Sequence, residues 1–109
     1  MGAIKPNNYS NFEQSVALGA RALNHPCRVK MMDLIWENQG ITSTDLVRHF
    51  KLSKTAIREH VVKLKDAGFV EIEYTPHCYL LSINTNKYQK FQTFTELLNN
   101  NSETFINQS

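Results

Sequence analysis

The stretch from residue 52 to residue 70 constrains the fold of this 109-residue chain more than any other. Ser53 is a good N-cap, because its hydroxyl accepts from the free amides of a first helical turn, and Gly68 favours the left-handed conformation that ends many helices. The apolar residues between them have helical spacing, which predicts one buried face. They are Ile57, Val61 and Leu64. The opposite face carries cationic and hydrogen-bonding side chains, and we expect it to meet a partner.

A shorter helix is predicted just upstream of this stretch. Thr42 or Ser43 can cap it, and Leu46, Val47 and Phe50 give it an apolar edge. Two short helices joined by a tight turn, the second of them basic, form a helix-turn-helix pattern. This pattern is the central prediction from the sequence.

The rest of the chain adds helices at both ends and a hairpin. A capping box at Ser10 predicts the start of a first helix. The Asn24-His25-Pro26 segment ends that helix and starts a second one, with Trp36 in the core. Apolar and polar residues alternate over residues 69–74 and 78–83, which predicts two strands. A last helix from residue 84 or 85 carries an aromatic stripe. We predict a mainly α fold with a small β-hairpin, in the order α-α-α-α-β-β-α. Residues 1–9 form a flexible arm, 10–99 the domain and 100–109 a flexible tail.

The charge of the chain is concentrated in one segment. Residues 48–65 contain six basic residues and one acidic residue, net +5, and the remainder has six basic and nine acidic residues, net −3. Nucleic-acid phosphate is the commonest reason for such a patch, and a solvated helix face is the alternative that charge alone leaves open. The start of the chain lacks a signal-peptide core, and the chain has no apolar run of about twenty residues. We therefore expect a cytoplasmic protein with no membrane partner.

Three segments resemble the ArsR family of bacterial winged-helix repressors. They are residues 22–29 (ALNHPCRV), 52–61 (LSKTAIREHV) and 64–70 (LKDAGFV), and the similarity extends over residues 12–98. The resemblance implies a winged helix-turn-helix fold and a homodimer paired through its first and last helices. It further implies binding to operator DNA, with release by an effector that this sequence does not identify.

The metal sites common in that family are not expected here. Thr42-Ser43-Thr44 occupies the position of the family's Cys-Val-Cys motif, and hydroxyls are poor ligands for soft metals. The last helix has no histidine, and the four histidines show no metal-ligand spacing. We predict no metal and no cofactor.

Cys27 is the candidate redox-sensing residue. It lies in the first turn of a predicted helix, where free amides lower the pKa of a thiol, and beside Arg28. The competing interpretation, which we favour, is a small buried apolar residue. His60 lies on the buried side of the basic helix and is interpreted as a structural residue.

The favoured function is sequence-specific binding of double-stranded DNA by a homodimeric transcriptional regulator, with repression as the expected effect. Base edges are assigned to Lys54, Thr55, Arg58 and Glu59, and phosphates to Arg48, Lys51, Lys63 and Lys65. The predicted wing carries Glu71 and Glu73 and no Lys or Arg. An acidic wing and an exposed Val62 favour the alternative, a winged-helix protein-interaction module that has lost DNA binding. No catalytic constellation can be assembled, so an enzyme is not expected.

Overall fold

The computed structural model describes residues 8–108, with side chains through residue 98. Five helices and three strands follow one another in this range. They are α1 (Asn11–Ala22), α2 (Pro26–Asn38), β1 (Ile41–Thr42), α3 (Ser43–Phe50), α4 (Lys54–Asp66), β2 (Val70–Tyr74), β3 (Tyr79–Ile83) and α5 (Thr85–Gln108). The predicted winged helix-turn-helix is confirmed, with α3 and α4 as the two helices and the β2–β3 hairpin as the wing.

Local capping chemistry sets the helix starts, as the sequence predicts. The Ser10 hydroxyl accepts from the Glu13 amide at 3.0 Å while the Glu13 carboxylate accepts from the Ser10 amide at 2.8 Å, which completes the capping box. Thr42 and Ser53 cap α3 and α4 through hydroxyls that each accept a backbone amide at 3.1 Å. Gly68 follows α4 with a φ of 78°, a conformation that a side chain would strain.

The core forms where α4 packs on α2, α3 and the inner face of the sheet. The three apolar residues predicted for the buried face of α4 are all buried, which confirms that stripe. The largest fully buried side chains are Met31, Met32, Ile35, Leu46, Ile57, Val61, Leu64 and Leu81. Because this stripe of α4 is buried, the opposite face of the helix is left in solvent.

The sheet has three antiparallel strands in the order β1-β3-β2, one strand more than the predicted hairpin. β1 is only two residues long, too short to show an alternating pattern, and it pairs Ile41 with Leu81. In the wing, Ile72 lies opposite Leu81 on the core side, whereas Glu71 lies opposite Ser82 and Glu73 opposite Leu80 on the outer side. The register therefore puts both wing carboxylates on the face away from the core.

The α2 helix is less buried than predicted. It buries Met31, Met32 and Ile35, but Trp36 is 61% exposed and Val29 is 44% exposed, so the assignment of Trp36 to the core is wrong. Successive helical residues point about 100° apart, and a small domain covers only one side of a helix. Trp36 therefore faces solvent beside a buried Ile35.

The last helix packs along α1 and continues farther than predicted. The Phe12 and Phe94 rings contact edge to face at 5.4 Å, and a Cβ at Gly19 would lie 2.8 Å from Phe69 and Phe91, so the glycine allows these rings to pack closely on α1. α5 runs to Gln108, beyond the predicted domain end at residue 99, because no Gly or Pro interrupts it. Residues 1–7 and 109 lie outside the described range. The flexibility expected for residues 1–9 and 100–109 stays a prediction, with residues 100–108 placed in α5.

No helix in the described part of the chain is long and apolar enough to cross a membrane.

Candidate nucleic-acid interface

A cleft of about 320 Å³ lies between the first turns of α3 and α4 and the tip of the wing. We call it the helix–wing cleft. Its polar lining consists of Ser43, Thr44, Lys54, Thr55, Arg58 and His77. Two helix N-termini, each with partly positive backbone amides, border the same cleft as a lysine and an arginine. The arrangement suits an anionic group or the hydrogen-bonding edge of a base.

Arg58 and Tyr79 line this cleft together. Burial raises the pKa of the Tyr79 hydroxyl, and the nearby Arg58 guanidinium partly opposes that rise. The Tyr79 amide donates to the buried Ser43 hydroxyl at 3.1 Å, which ties the wing to the start of α3. The wing thus supplies one wall of the cleft and fixes it against the helix-turn-helix.

The eight residues assigned to DNA contact do not form one group. Lys54, Thr55 and Arg58 line the cleft, and Glu59 is exposed on the same helix outside it. The two lysines in the last turn of α4 lie farther along the helix axis, and the nearer one is about 14 Å from Lys54 and about 8 Å from Arg58, at 1.5 Å per residue. They are Lys63 and Lys65. Cations at a helix C-terminus are also favoured by the helix dipole, so their position has a structural reason as well.

The two basic residues at the end of α3 have different surroundings. Arg48 lies 3.7 Å from the Asp45 carboxylate in a solvent-exposed pair, which contributes little to stability. Lys51 follows α3 in the left-handed region with a φ of 56°, and its side chain is exposed in the turn before α4. Both side chains are accessible to a partner that contacts the helix-turn-helix.

The lining residues that the sequence prediction did not assign to DNA contact include two from α3 and two from the wing. Ser43 and Thr44 start α3, and His77 and Tyr79 belong to the wing. Only the register of the sheet brings the wing to α3, and no local pattern encodes that contact. The wing turn itself is held by Thr75, whose hydroxyl donates to the Cys78 carbonyl at 2.8 Å and accepts from the Cys78 amide at 3.1 Å.

Cys27 does not have the environment predicted for a reactive thiol. It is half-buried and packs against the core, and burial raises its pKa although the Arg28 cation acts in the opposite direction. The net pKa shift of Cys27 is upward, because desolvation of the thiolate is the largest effect. These surroundings favour the interpretation as a small apolar residue.

Two histidines with no metal-ligand spacing in the sequence meet in the structure. The His25 and His60 rings are 4.7 Å apart, and the Arg28 guanidinium lies 3.1 Å from His60 Nδ1. Among the described residues, no group of three or more His, Cys, Asp or Glu side chains could hold a metal ion. We call the two histidines and the arginine between them the His25–Arg28–His60 cluster.

An open groove of about 670 Å³ lies on the surface between α1 and α5. We call it the α1–α5 groove. Phe12, Val16, Phe94 and Leu97 are among its lining residues. Phe12 is 56% exposed and Leu97 is 57% exposed, which is unusual for large apolar side chains so close together on one surface. A surface of this kind is typical of a protein–protein interface.

Known proteins resemble both the helix-turn-helix and the whole fold. Residues 25–71 match the family model described as "Bacterial regulatory protein, arsR family". An ArsR-like transcriptional regulator from Rhodococcus sp. RHA1 superposes with a TM-score of 0.70 and 15% identity, covering 89% of this chain and 91% of that one. HlyU from Vibrio cholerae gives a TM-score of 0.65 and 14% identity, covering 82% and 97%. NolR from Sinorhizobium fredii gives a TM-score of 0.61 and 18% identity, covering 89% of this chain and 96% of that one. No curated protein sequence matches the chain.

Proposed function

We propose that this protein, whose residues 25–71 match the ArsR family model, is a DNA-binding transcriptional regulator that acts in the cytoplasm as a homodimeric repressor. The observation that carries the proposal is the helix–wing cleft. It combines the first turn of α4 with Lys54, Thr55 and Arg58, all exposed on the side of the helix away from the core. α4 is therefore the recognition helix of the proposed complex.

The chemistry of the recognition helix suits the major groove of DNA. An arginine can donate two hydrogen bonds to guanine, and a threonine can contact a base edge or the thymine methyl group. We assign these roles to Arg58 and Thr55, with Lys54 and Glu59 beside them. Arg48, Lys51, Lys63 and Lys65 are assigned to phosphates, where each cation adds to the salt dependence of binding but not to sequence selectivity.

The α1–α5 groove supports a homodimer. A second copy packed against the exposed Phe12 and Leu97 would cover apolar surface that one chain leaves in water. A twofold axis there would present two recognition helices to successive major grooves, and an imperfect palindrome is then the expected operator. Binding at such a site would block access of the transcription machinery, so repression is the expected effect.

The outer face of the wing favours a second candidate function, a protein-interaction module. Glu71 and Glu73 lie side by side on that face, and Val62 is 41% exposed on α4. Carboxylates near phosphates are repulsive, so this face does not suit DNA. A module that docks a basic protein would use the wing, whereas a DNA-binding regulator would use the helix–wing cleft.

Binding to DNA from upstream of the protein's own gene tests the proposal. Fluorescence anisotropy at low and at physiological salt should detect a selective complex whose affinity falls as salt rises. Arg58→Ala should weaken the complex by about 1–3 kcal/mol, roughly 5- to 150-fold, and reduce selectivity. Lys30→Ala, which removes an exposed cation on α2, is the matched control and should leave affinity nearly unchanged.

A different result would favour the other function. If the folded protein binds every duplex weakly and Arg58→Ala has no more effect than Lys30→Ala, the DNA-binding proposal is wrong. A protein partner whose binding is lost in a Glu71→Lys, Glu73→Lys variant would then identify the wing as the functional surface.

A further inference from the structure

The His25–Arg28–His60 cluster connects three helices at one point. Arg28, in the first turn of α2, donates from Nε to the Ala22 carbonyl at the end of α1 and from Nη1 to His60 Nδ1 on α4 at 3.1 Å. His25 is the N-cap of α2. The recognition helix is therefore held to the α1–α2 junction through a histidine.

Both histidines are used as hydrogen-bond acceptors. Arginine has no acceptor and stays protonated, so His60 Nδ1 must supply the lone pair and its proton must be on Nε2. His25 Nδ1 accepts from the Cys27 amide at 3.0 Å, so it too lacks a proton at that atom. Protonation of either ring at Nδ1 would replace the acceptor with a second donor and break the contact.

Two of the three neighbouring titratable groups oppose protonation of His60. The groups facing it from α2 are His25 and Arg28, and on its own helix Glu59 is the neighbouring carboxylate. Partial burial, His25 and Arg28 lower the His60 pKa, and Glu59 offsets this only in part. Protonation of His60 would place a second cation 3.1 Å from the Arg28 guanidinium, and their repulsion favours separation of α4 from the start of α2.

We propose that the His25–Arg28–His60 cluster is a proton-sensitive contact through which acidification shifts the recognition helix and releases DNA. The proposal rests on the DNA-binding function and names its regulation: the effector is the proton, with no further ligand. The neutral cluster holds α4 against α2 in the DNA-binding arrangement. The protonated cluster opens, and the population of the binding arrangement falls.

Binding measured at two pH values tests the proposal. Between about pH 7.5 and about pH 5.5 the wild-type protein should lose roughly threefold or more in affinity, with tenfold per pH unit as the limit for one linked proton. His60→Gln should not show this loss, because the glutamine amide oxygen can accept from Arg28 and does not titrate. His49→Gln, which removes an exposed histidine on α3, should keep the wild-type pH dependence.

A pH titration of the protein without DNA tests the cluster independently of DNA binding. NMR of the histidine ring protons should show that His60 titrates below its usual range near 6.5, and that Arg28→Met moves the titration upward. Equal pH dependence of DNA affinity in wild type and His60→Gln would overturn the proposal, and so would a His60 titration that ignores Arg28. Absence of DNA binding at about pH 7.5 would instead refute the proposed function, while the NMR titration would still report on the cluster.

Discussion

At the scale of single residues, the surroundings of a side chain decide its chemistry more than its position in the sequence. Cys27 occupies the first turn of a helix beside an arginine, a combination that predicts a reactive thiolate. The same residue packs against the core, and burial raises its pKa by more than the Arg28 cation lowers it. His60 follows the same rule in the opposite direction, because burial, His25 and Arg28 lower its pKa and so disfavour the charged form.

Slow alkylation of Cys27 is the expected consequence. The Cys78→Ser variant leaves Cys27 as the single thiol. At about pH 7.5, iodoacetamide should react with Cys27 in this variant more slowly than it reacts with glutathione, because only the thiolate is nucleophilic. Mass spectrometry of quenched samples gives the rate. A rate above that of glutathione would restore Cys27 as a redox-sensing residue.

At the scale of elements, Ser43 joins the wing to the helix-turn-helix. Its buried hydroxyl accepts the Tyr79 amide, so truncation would leave a buried donor without a partner. Ser43→Ala should lower the free energy of unfolding by about 1–3 kcal/mol. Thr44→Ala, at the exposed next position, should stay within about 0.5 kcal/mol. Urea denaturation compares the two, and equal effects would show that the Ser43–Tyr79 bond does not hold the wing.

The helices and their caps could be predicted from local sequence signals, whereas features that depend on contacts between distant residues could not. The caps at Ser10, Thr42 and Ser53 and the buried stripe of α4 depend on residues within a few positions of one another, so the sequence shows them directly. β1 has no periodicity of its own and exists because Ile41 reaches Leu81. The His25–His60 contact spans 35 positions, and only the packing of α2 on α4 creates it. The prediction that Trp36 is in the core was wrong for a related reason, because an apolar pattern does not show which part of a broad helix face other elements cover.

At the scale of the whole molecule, the α1–α5 groove is the surface through which two copies are expected to associate. Leu97→Asp places a charge in that apolar surface, twice in a symmetric dimer, and should weaken association by at least about tenfold. Sedimentation equilibrium gives the dissociation constant. Gln92→Asp puts the same charge on an exposed position of α5 outside the groove lining and should leave association unchanged. Equal behaviour of the two variants would place the dimer interface elsewhere.

The two acidic residues of β2 have a consequence that does not involve DNA. β2 is an outer strand of the sheet, and an unpaired strand edge can pair with the same edge of another molecule and begin aggregation. Glu71 and Glu73 give each such edge two negative charges, so two copies that approach strand to strand repel each other. β1, at the opposite side, is only two residues long and offers little to pair with. We therefore expect the sheet to resist growth into a larger one by pairing of strands from different molecules.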